Sequence, residues 1–420
     1  MRLHRTSAIA LGGAVALTLV VAQPAAAATS SWTGTSDAAW STGVGWGGTA
    51  PADGDDLVFS AGPRSTYNLG DHGFASLSFG ATHEIANGGG AITVHGGIDV
   101  DANSAVRIQP QLDVDATQTW HVGQGSTLTL PSMVRTDGTS VLTLDVAGTM
   151  TIEATGNLDA LATGCVVKTG AGILQVLGGG GGMGTCAGQP AGLNVAAGEV
   201  AVGEAQIGGK DFAVTGGVFT GGTSATPATV HMLNLTGTGV VSPGPASGDG
   251  LGMVSLWGTS TWNGGTYQAD WDVDTDRSDY VFGSGQAITV NGTKLDVRLT
   301  GTPAAGDFVR ILGSDISYTG QFAAPDGTPL ADGDEFTSNG QVYSLEYISS
   351  GGASGVLLHW LRAAPAPTPT PTPTPSADPV STDLASTGAA DAWPSLAAAA
   401  GVAALGVVLL TGRRRVRRAR

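Results

Sequence analysis

Carboxylates alternate with other residues in one acidic segment, at Asp270, Asp272, Asp274 and Asp276. On a β-strand, alternate side chains point to the same face, so these four carboxylates would line up. Ca²⁺ takes oxygen ligands of this kind, although the glycine and glutamate positions of an EF-hand are missing. The alternative is an exposed strand whose charges prevent edge pairing. We therefore predict no resident metal or cofactor, and retain Ca²⁺ at these four residues as the alternative.

A second acidic set contains Asp99, Asp101, Asp113 and Asp115. Paired carboxylates in a groove are the catalytic groups of glycoside hydrolases. The alternative is that these residues end strands and form turns. The sequence has no H-E-x-x-H, G-x-S-x-G or P-loop motif. We predict that the chain is not an enzyme, and keep a polysaccharide lyase or glycoside hydrolase as the alternative.

The two cysteines, Cys165 and Cys186, are the third candidate for chemistry. An even pair in an exported chain indicates a disulfide. In the chain-entropy model, closing a loop of this length contributes ~3 kcal/mol. A metal or redox pair would favour a C-x-x-C spacing, which is absent.

Short alternating segments position all these residues. Residues 29–361 lack a convincing amphipathic helix and contain many runs of four to six residues in which apolar and polar side chains alternate. Turn residues such as Gly, Asp and Asn separate the runs, and examples are Ser126–Leu130, Val141–Val146 and Gly198–Val202. Glycine is frequent, and aromatic residues are absent between Val122 and Asp211, which favours a β-solenoid over a sandwich. Rungs of ~20 residues would give about sixteen rungs. Residues 240–361 are a candidate for a distinct C-terminal β-rich cap.

Both chain ends indicate export. Residues 1–28 have a basic start, an apolar stretch and small residues for cleavage, which is typical of a signal peptide. Residues 29–387 contain 10 Lys and Arg residues and 33 Asp and Glu residues, a formal net charge of −23. Such acidity excludes nucleic acid as a partner. We expect contact with a membrane only through the two apolar segments, namely the signal helix and the C-terminal segment.

The C-terminal region has four successive parts. Residues 362–383 are a Pro/Thr-rich spacer of polyproline II type, followed by Leu384-Ala385-Ser386-Thr387-Gly388. Residues 394–411 form a short apolar transmembrane segment, and residues 412–420 form a tail with six arginines that resists translocation. The alternative is a permanent single-pass anchor.

This succession resembles the cell-wall sorting signal of Gram-positive surface proteins, with Ala385 in place of the common proline. The resemblance implies cleavage by a sortase between Thr387 and Gly388 and attachment of Thr387 to peptidoglycan. The chain would then be localised at the cell wall, after passing through a single-pass membrane intermediate.

The ectodomain resembles β-helical autotransporter passenger domains. Trp32-Thr-Gly34 and Leu57-Val-Phe59 look like their first segments, and Lys168-Thr-Gly-Ala-Gly-Ile-Leu-Gln-Val176 is similar to their Lys-x-Gly-x-Gly-x-Leu-x-Leu repeat. The resemblance implies a right-handed parallel β-helix that serves for surface display. We expect a non-enzymatic role in adhesion or envelope structure. The surface ligand is unidentified, and a glycan or the matrix of a host or neighbouring cell is a candidate.

Three tryptophans near the start, Trp32, Trp40 and Trp46, have two interpretations. They could stack on sugar rings at an exposed tip, or cover the open apolar end of the solenoid. Since terminal repeats lack one neighbour to bury their core, we predict the cap.

Overall fold

The structure is a computed structural model that describes residues 27–35, 37–137, 139–153, 165–177, 192–203, 206–223, 225–245, 250–348 and 354–365. The predicted sorting motif and transmembrane segment lie outside these ranges, as do nearly all of the predicted signal peptide and most of the spacer. These predictions therefore stay predictions. The described residues include no helix of the length and apolarity needed to cross a membrane.

The described chain is all-β and forms a parallel β-solenoid of about ten turns, which confirms the predicted fold class at that level. Its strands are numbered β1 to β33 along the chain, and two single-turn 3-10 helices lie at Trp40–Thr42 and Val44–Trp46. Three ladders of parallel strands form the three faces.

The first face carries β1 (Thr29–Trp32), β3 (Asp56–Phe59), β6 (Ser76–Phe79), β9 (Gly97–Val100), β12 (Gln118–Val122), β15 (Val141–Val146), β17 (Cys165–Thr169) and β19 (Leu193–Val195). The second face carries β2 (Ala38–Ala39), β4 (Arg64–Tyr67), β7 (His83–Asn87), β10 (Ala105–Ile108), β13 (Thr127–Leu130), β16 (Thr149–Ile152), β18 (Ile173–Val176), β20 (Glu199–Val202) and β22 (Val218–Gly221).

The third face begins with β5 (His72–Phe74), β8 (Ala91–Val94), β11 (Gln111–Val114) and β14 (Val134–Thr136), and resumes later with β24 (Met253–Leu256), β27 (Tyr280–Gly283) and β29 (Phe308–Ser314). Longer strands in the second half turn from one face into the next, and these are β21 (Gln206–Val214), β23 (Ala228–Pro243), β25 (Ser260–Asp272), β28 (Ile288–Thr300) and β30 (Tyr318–Ala323).

Rung length varies along the solenoid. Leu57 pairs with Leu77, 20 positions later, whereas Trp262 pairs with Val290, 28 positions later. The expectation of sixteen rungs was therefore wrong, because extra residues at the corners lengthen many of the turns.

The core is a stack of inward-pointing side chains. Thr127–Leu130 has exposed or half-exposed threonines alternating with buried leucines, as a half-buried strand requires. Leu57, Leu77, Ile98, Trp120 and Leu144 follow one another in register on the first face, and all are buried. Between Val122 and Asp211 the buried side chains are mainly Val, Leu, Ile and Met.

Lys168 is the exception in that stack, since it pairs with Leu144 and Val195 at an inward position and is fully buried. Its Nζ donates hydrogen bonds to the carbonyl oxygens of Thr169 at 2.6 Å, Gly170 at 2.9 Å and Ala197 at 3.3 Å. All three ammonium protons thus have acceptors, which offsets the cost of burying the charge. Burial lowers the pKa of Lys168 to about 8, against the raising effect of Asp145 and Glu199.

Two glycines that follow Lys168, namely Gly170 and Gly172, allow the chain to turn the corner into β18. Gly170 has φ +73°, in the left-handed region. A Cβ on Gly172 would overlap the carbonyl oxygen of Gly148 on the preceding rung and would lie 2.7 Å from the carbonyl carbon of Ala147. The glycines of the Lys168–Val176 segment therefore have a structural explanation in the tight stacking of this corner.

An antiparallel sheet closes the C-terminal end of the described chain. It contains β31 (Glu335–Ser338), β32 (Gln341–Ile348) and β33 (Ser354–Ala363), and β33 also pairs with β29. Parallel pairing continues well beyond residue 240, up to Lys294 with Ala323. The parallel solenoid thus includes residues beyond 240, and we call β31 to β33 the antiparallel cap.

Candidate functional site

The acidic segment at Asp270 forms a hairpin instead of a continuous strand. β25 ends at Asp272, and β26 (Arg277–Ser278) pairs back on it in antiparallel fashion. Asp274 and Asp276 therefore lie in the turn, where the Asp274 amide donates to Asp272 Oδ1 at 3.0 Å. The four carboxylates do not share one face. Among the described residues, no group of three or more His, Cys, Asp or Glu side chains is arranged to hold a metal ion.

The second acidic set is divided between two faces. Asp99 lies on the first face, in register with His121, whereas Asp113 lies on the third face, between Thr93 and Arg135. Asp115 Oδ1 accepts a hydrogen bond from His95 Nδ1 at 2.8 Å. Asp101 directly follows β9. This arrangement gives no support to a catalytic carboxylate pair, and the enzyme alternative gains nothing from it.

The three N-terminal tryptophans are buried, with exposed fractions of 0% for Trp32, 0% for Trp40 and 8% for Trp46. Trp40 is the centre of an aromatic cluster, and its ring centroid lies 5.0 Å from that of Trp46 and 5.1 Å from that of Tyr67. Edge-to-face pairs of this kind contribute about 0.5–1.5 kcal/mol each beyond the burial of apolar area. The tryptophans therefore cover the solenoid core, as predicted, and are not available to stack on sugar rings.

A cleft of about 780 Å³ opens beside the antiparallel cap. We call it the Tyr280 cleft and define it by Arg277, Ser278, Tyr280, Phe308 and Arg310. The first residues of two neighbouring third-face strands supply Tyr280 and Phe308, and the hairpin strand β26 supplies Arg277 and Ser278. Ile348 and Leu357 of the cap form the apolar wall. Sites for small ligands have volumes of about 300–1,000 Å³, with apolar walls and a few polar groups.

The aromatic and charged groups of the cleft are held in place by neighbouring strands. The Tyr280 ring lies over Gly313, where a Cβ would overlap its hydroxyl oxygen, and stacks beside Phe282 with ring centroids 6.0 Å apart. Ser278 Oγ donates to the Arg310 carbonyl oxygen at 3.1 Å. Burial raises the pKa of Tyr280, while the charge of Arg310 and its hydrogen bond act in the opposite direction.

A buried carboxyl group, that of Asp279, lies between the cleft residues Ser278 and Tyr280 in the sequence. Asp279 is fully buried, and its Oδ1 accepts from the Gly252 amide at 2.8 Å. Its Oδ2 accepts from the Asp270 amide at 3.1 Å. Burial raises the pKa of Asp279 to about 8, despite these two hydrogen bonds. The side chain thus ties β24 to the base of the hairpin that carries Arg277.

Sequence reasoning did not find the Tyr280 cleft. Its residues come from separate segments spread over about 100 positions, from Gly252 to Leu357, and no short motif connects them. The available signal was compositional. Arg277 and Arg310 are two of only 10 basic residues in residues 29–387, and each lies near an aromatic residue.

The remaining predicted sites are not tested by the structure. Cys165 is buried at the start of β17, and Cys186 lies outside the described residues, so their disulfide stays a prediction. The sorting motif Leu384 to Gly388 also lies outside them. Comparison of the chain with protein-family profiles and with curated proteins finds no match.

Proposed function

We propose that the chain is a cell-wall-anchored surface protein with a non-enzymatic role in adhesion or envelope structure. The observation that carries the proposal is the succession of pentapeptide, short apolar segment and arginine tail at residues 384–420. A sortase would cleave the Thr387–Gly388 peptide bond and join the Thr387 carbonyl to an amino group of the peptidoglycan precursor. The signal peptide and the acidic ectodomain agree with such a destination.

The β-solenoid is compatible with this role, since such folds occur in surface proteins and in polysaccharide-active enzymes alike. The absence of a shared face for the acidic residues, described above, makes display the better-supported choice. We further propose that the solenoid is right-handed, as crossovers between parallel strands are in nearly all proteins. In an oxidising compartment, Cys165 and Cys186 would form a disulfide.

Replacement of Thr387 tests the proposal, with Ser386 as the matched control because it occupies the variable position of the motif. We expect Thr387→Ala to abolish covalent attachment, so that the protein appears in the membrane fraction and the medium. Ser386→Ala should remain bound to peptidoglycan after boiling in detergent. Equal wall retention of the two variants would contradict the proposal.

A further inference from the structure

The Tyr280 cleft contains two arginines, although the chain as a whole is acidic. Residues 29–387 carry a formal net charge of −23, so most of the surface repels anions. Arg277 and Arg310 both line this one cleft, together with Asp276 of the hairpin turn. Among the residues that the structure describes, Arg310 forms no ion pair with a carboxylate, unlike Arg64, Arg107 and Arg362. One guanidinium N–H group is engaged by the Tyr280 hydroxyl, and since a guanidinium has five such donors, the group retains donors for an anionic ligand.

The cleft also presents an exposed aromatic ring. Phe308 is 53% exposed, and its other side packs on His359, with ring centroids 5.3 Å apart. His359 is fixed in turn by Glu346, with 3.0 Å between Nε2 and Oε2. A ring that is held on one side and open on the other can stack on the apolar face of a sugar. Such an exposed Phe is not needed for the core, which lies on the opposite side of β29.

We propose that the Tyr280 cleft binds a carboxylate-bearing saccharide. Arg310, with Arg277 beside it, would take the carboxylate through charge-assisted hydrogen bonds, which guanidinium can form in a bidentate manner. Phe308 would stack on the sugar ring, and the hydroxyls of Ser278 and Tyr280 would contact its hydroxyl groups. The inference deepens the proposed adhesive role and rests on it for the biological setting. The binding itself requires no wall attachment.

Two sources supply saccharides with this chemistry, namely uronate polymers of other cells and the muramate of the wall. The test uses the full chain in calorimetric titration with two probes. One is a tetrasaccharide of alternating glucuronate and N-acetylglucosamine, and the other is the disaccharide of N-acetylglucosamine and N-acetylmuramate. Each is compared with the same saccharide after reduction of its carboxylates to alcohols. We expect at least one acidic probe to bind, and the one that binds identifies the source.

Two cleft variants and one distant control complete the test. We expect reduction of the probe and Arg310→Gln each to weaken binding about tenfold or more, since each removes a charged hydrogen bond. Phe308→Ala, at a largely exposed position, should weaken binding several-fold without changing the thermal midpoint. Arg107→Gln is the control, because Arg107 lies on the second face and pairs with Glu153 at 3.0 Å. It should bind as the wild type does.

Three results would overturn the inference. They are absence of binding to both acidic probes, equal binding of the reduced probes, and an equal loss in Arg107→Gln and Arg310→Gln. Failure of this test leaves the anchoring test at Thr387 unaffected, because the titration is made with purified chain and no sortase. Loss of wall attachment would likewise leave the titration unchanged.

Discussion

Gly172→Ala should destabilise the solenoid far more than one added methyl group normally does. Gly172 lies at the corner between β17 and β18, where its own amide donates to the Val146 carbonyl at 2.7 Å. The next amide, that of Ile173, donates to the Gly148 carbonyl at 3.0 Å. A Cβ at this position would overlap the Gly148 carbonyl oxygen, which belongs to the backbone and has no rotamer to change.

The loss of stability in Gly172→Ala can be estimated from the groups that the added Cβ displaces. The two rungs must separate locally, which weakens both hydrogen bonds at about 1 kcal/mol each. Displacement of the packed strands adds ~1–3 kcal/mol, as in overpacked cores. Lower entropy of the unfolded chain returns ~0.4–1 kcal/mol. We therefore expect a net loss of about 2–5 kcal/mol in the free energy of unfolding.

The assay is urea denaturation of the full chain, with Gly80→Ala as the matched control. A Cβ on Gly80 would meet only the Asp101 Oδ2 atom at 3.4 Å and the Ser60 Cα atom at 4.0 Å, and its φ lies outside the left-handed region. The control should change stability by less than about 1 kcal/mol. If Gly172→Ala is as stable as Gly80→Ala, the rungs do not stack as closely at this corner as described.

Three further changes test other parts of the fold. Asp279 holds a proton in the folded chain up to its pKa of about 8, compared with an ordinary value of 3.8. Stability should therefore fall as pH rises from about 4 to about 8, by at most on the order of 5 kcal/mol from this group. Asp279→Asn should flatten that profile, and parallel profiles would contradict the assignment. Lys168→Met removes the donor for three carbonyl groups and should cost about 2 kcal/mol at pH 7. Because the pKa of Lys168 is lowered from 10.5 to about 8, the wild type should gain stability relative to this variant as pH rises through that range, and a constant difference would argue against a buried ammonium. Trp40→Ala should cost about 3–5 kcal/mol in urea denaturation, whereas Trp257→Ala, at a side chain that is 57% exposed, should have little effect; similar losses would speak against the aromatic cap.

Strand positions were predictable because alternation is a local property. Val141–Val146 was predicted as a strand and forms β15 with the same bounds, and the predicted strand Ser126–Leu130 is one residue longer than β13. The burial of Trp40 followed from a general requirement, since the open end of a stacked core needs a cover. These features need only short segments or the ends of the chain.

The features that sequence reasoning missed depend on contacts between distant residues. The alternation at Asp270 suggested one strand, but the chain turns after Asp272 because β26 pairs back on β25. Rung number was overestimated because corner segments of variable length carry no periodic signal. The Tyr280 cleft needs Arg310 beside Tyr280, an arrangement set by the length of the rung between them.

The most direct test of the proposed function is the identity of the C-terminus in protein released from the wall. Peptidoglycan hydrolase digestion followed by mass spectrometry of the C-terminal peptide would determine it. We predict a peptide that ends at Thr387, with its carboxyl group joined through an amide bond to a peptidoglycan fragment. A surface-exposed population whose C-terminal peptide still contains Arg420 would contradict the proposal.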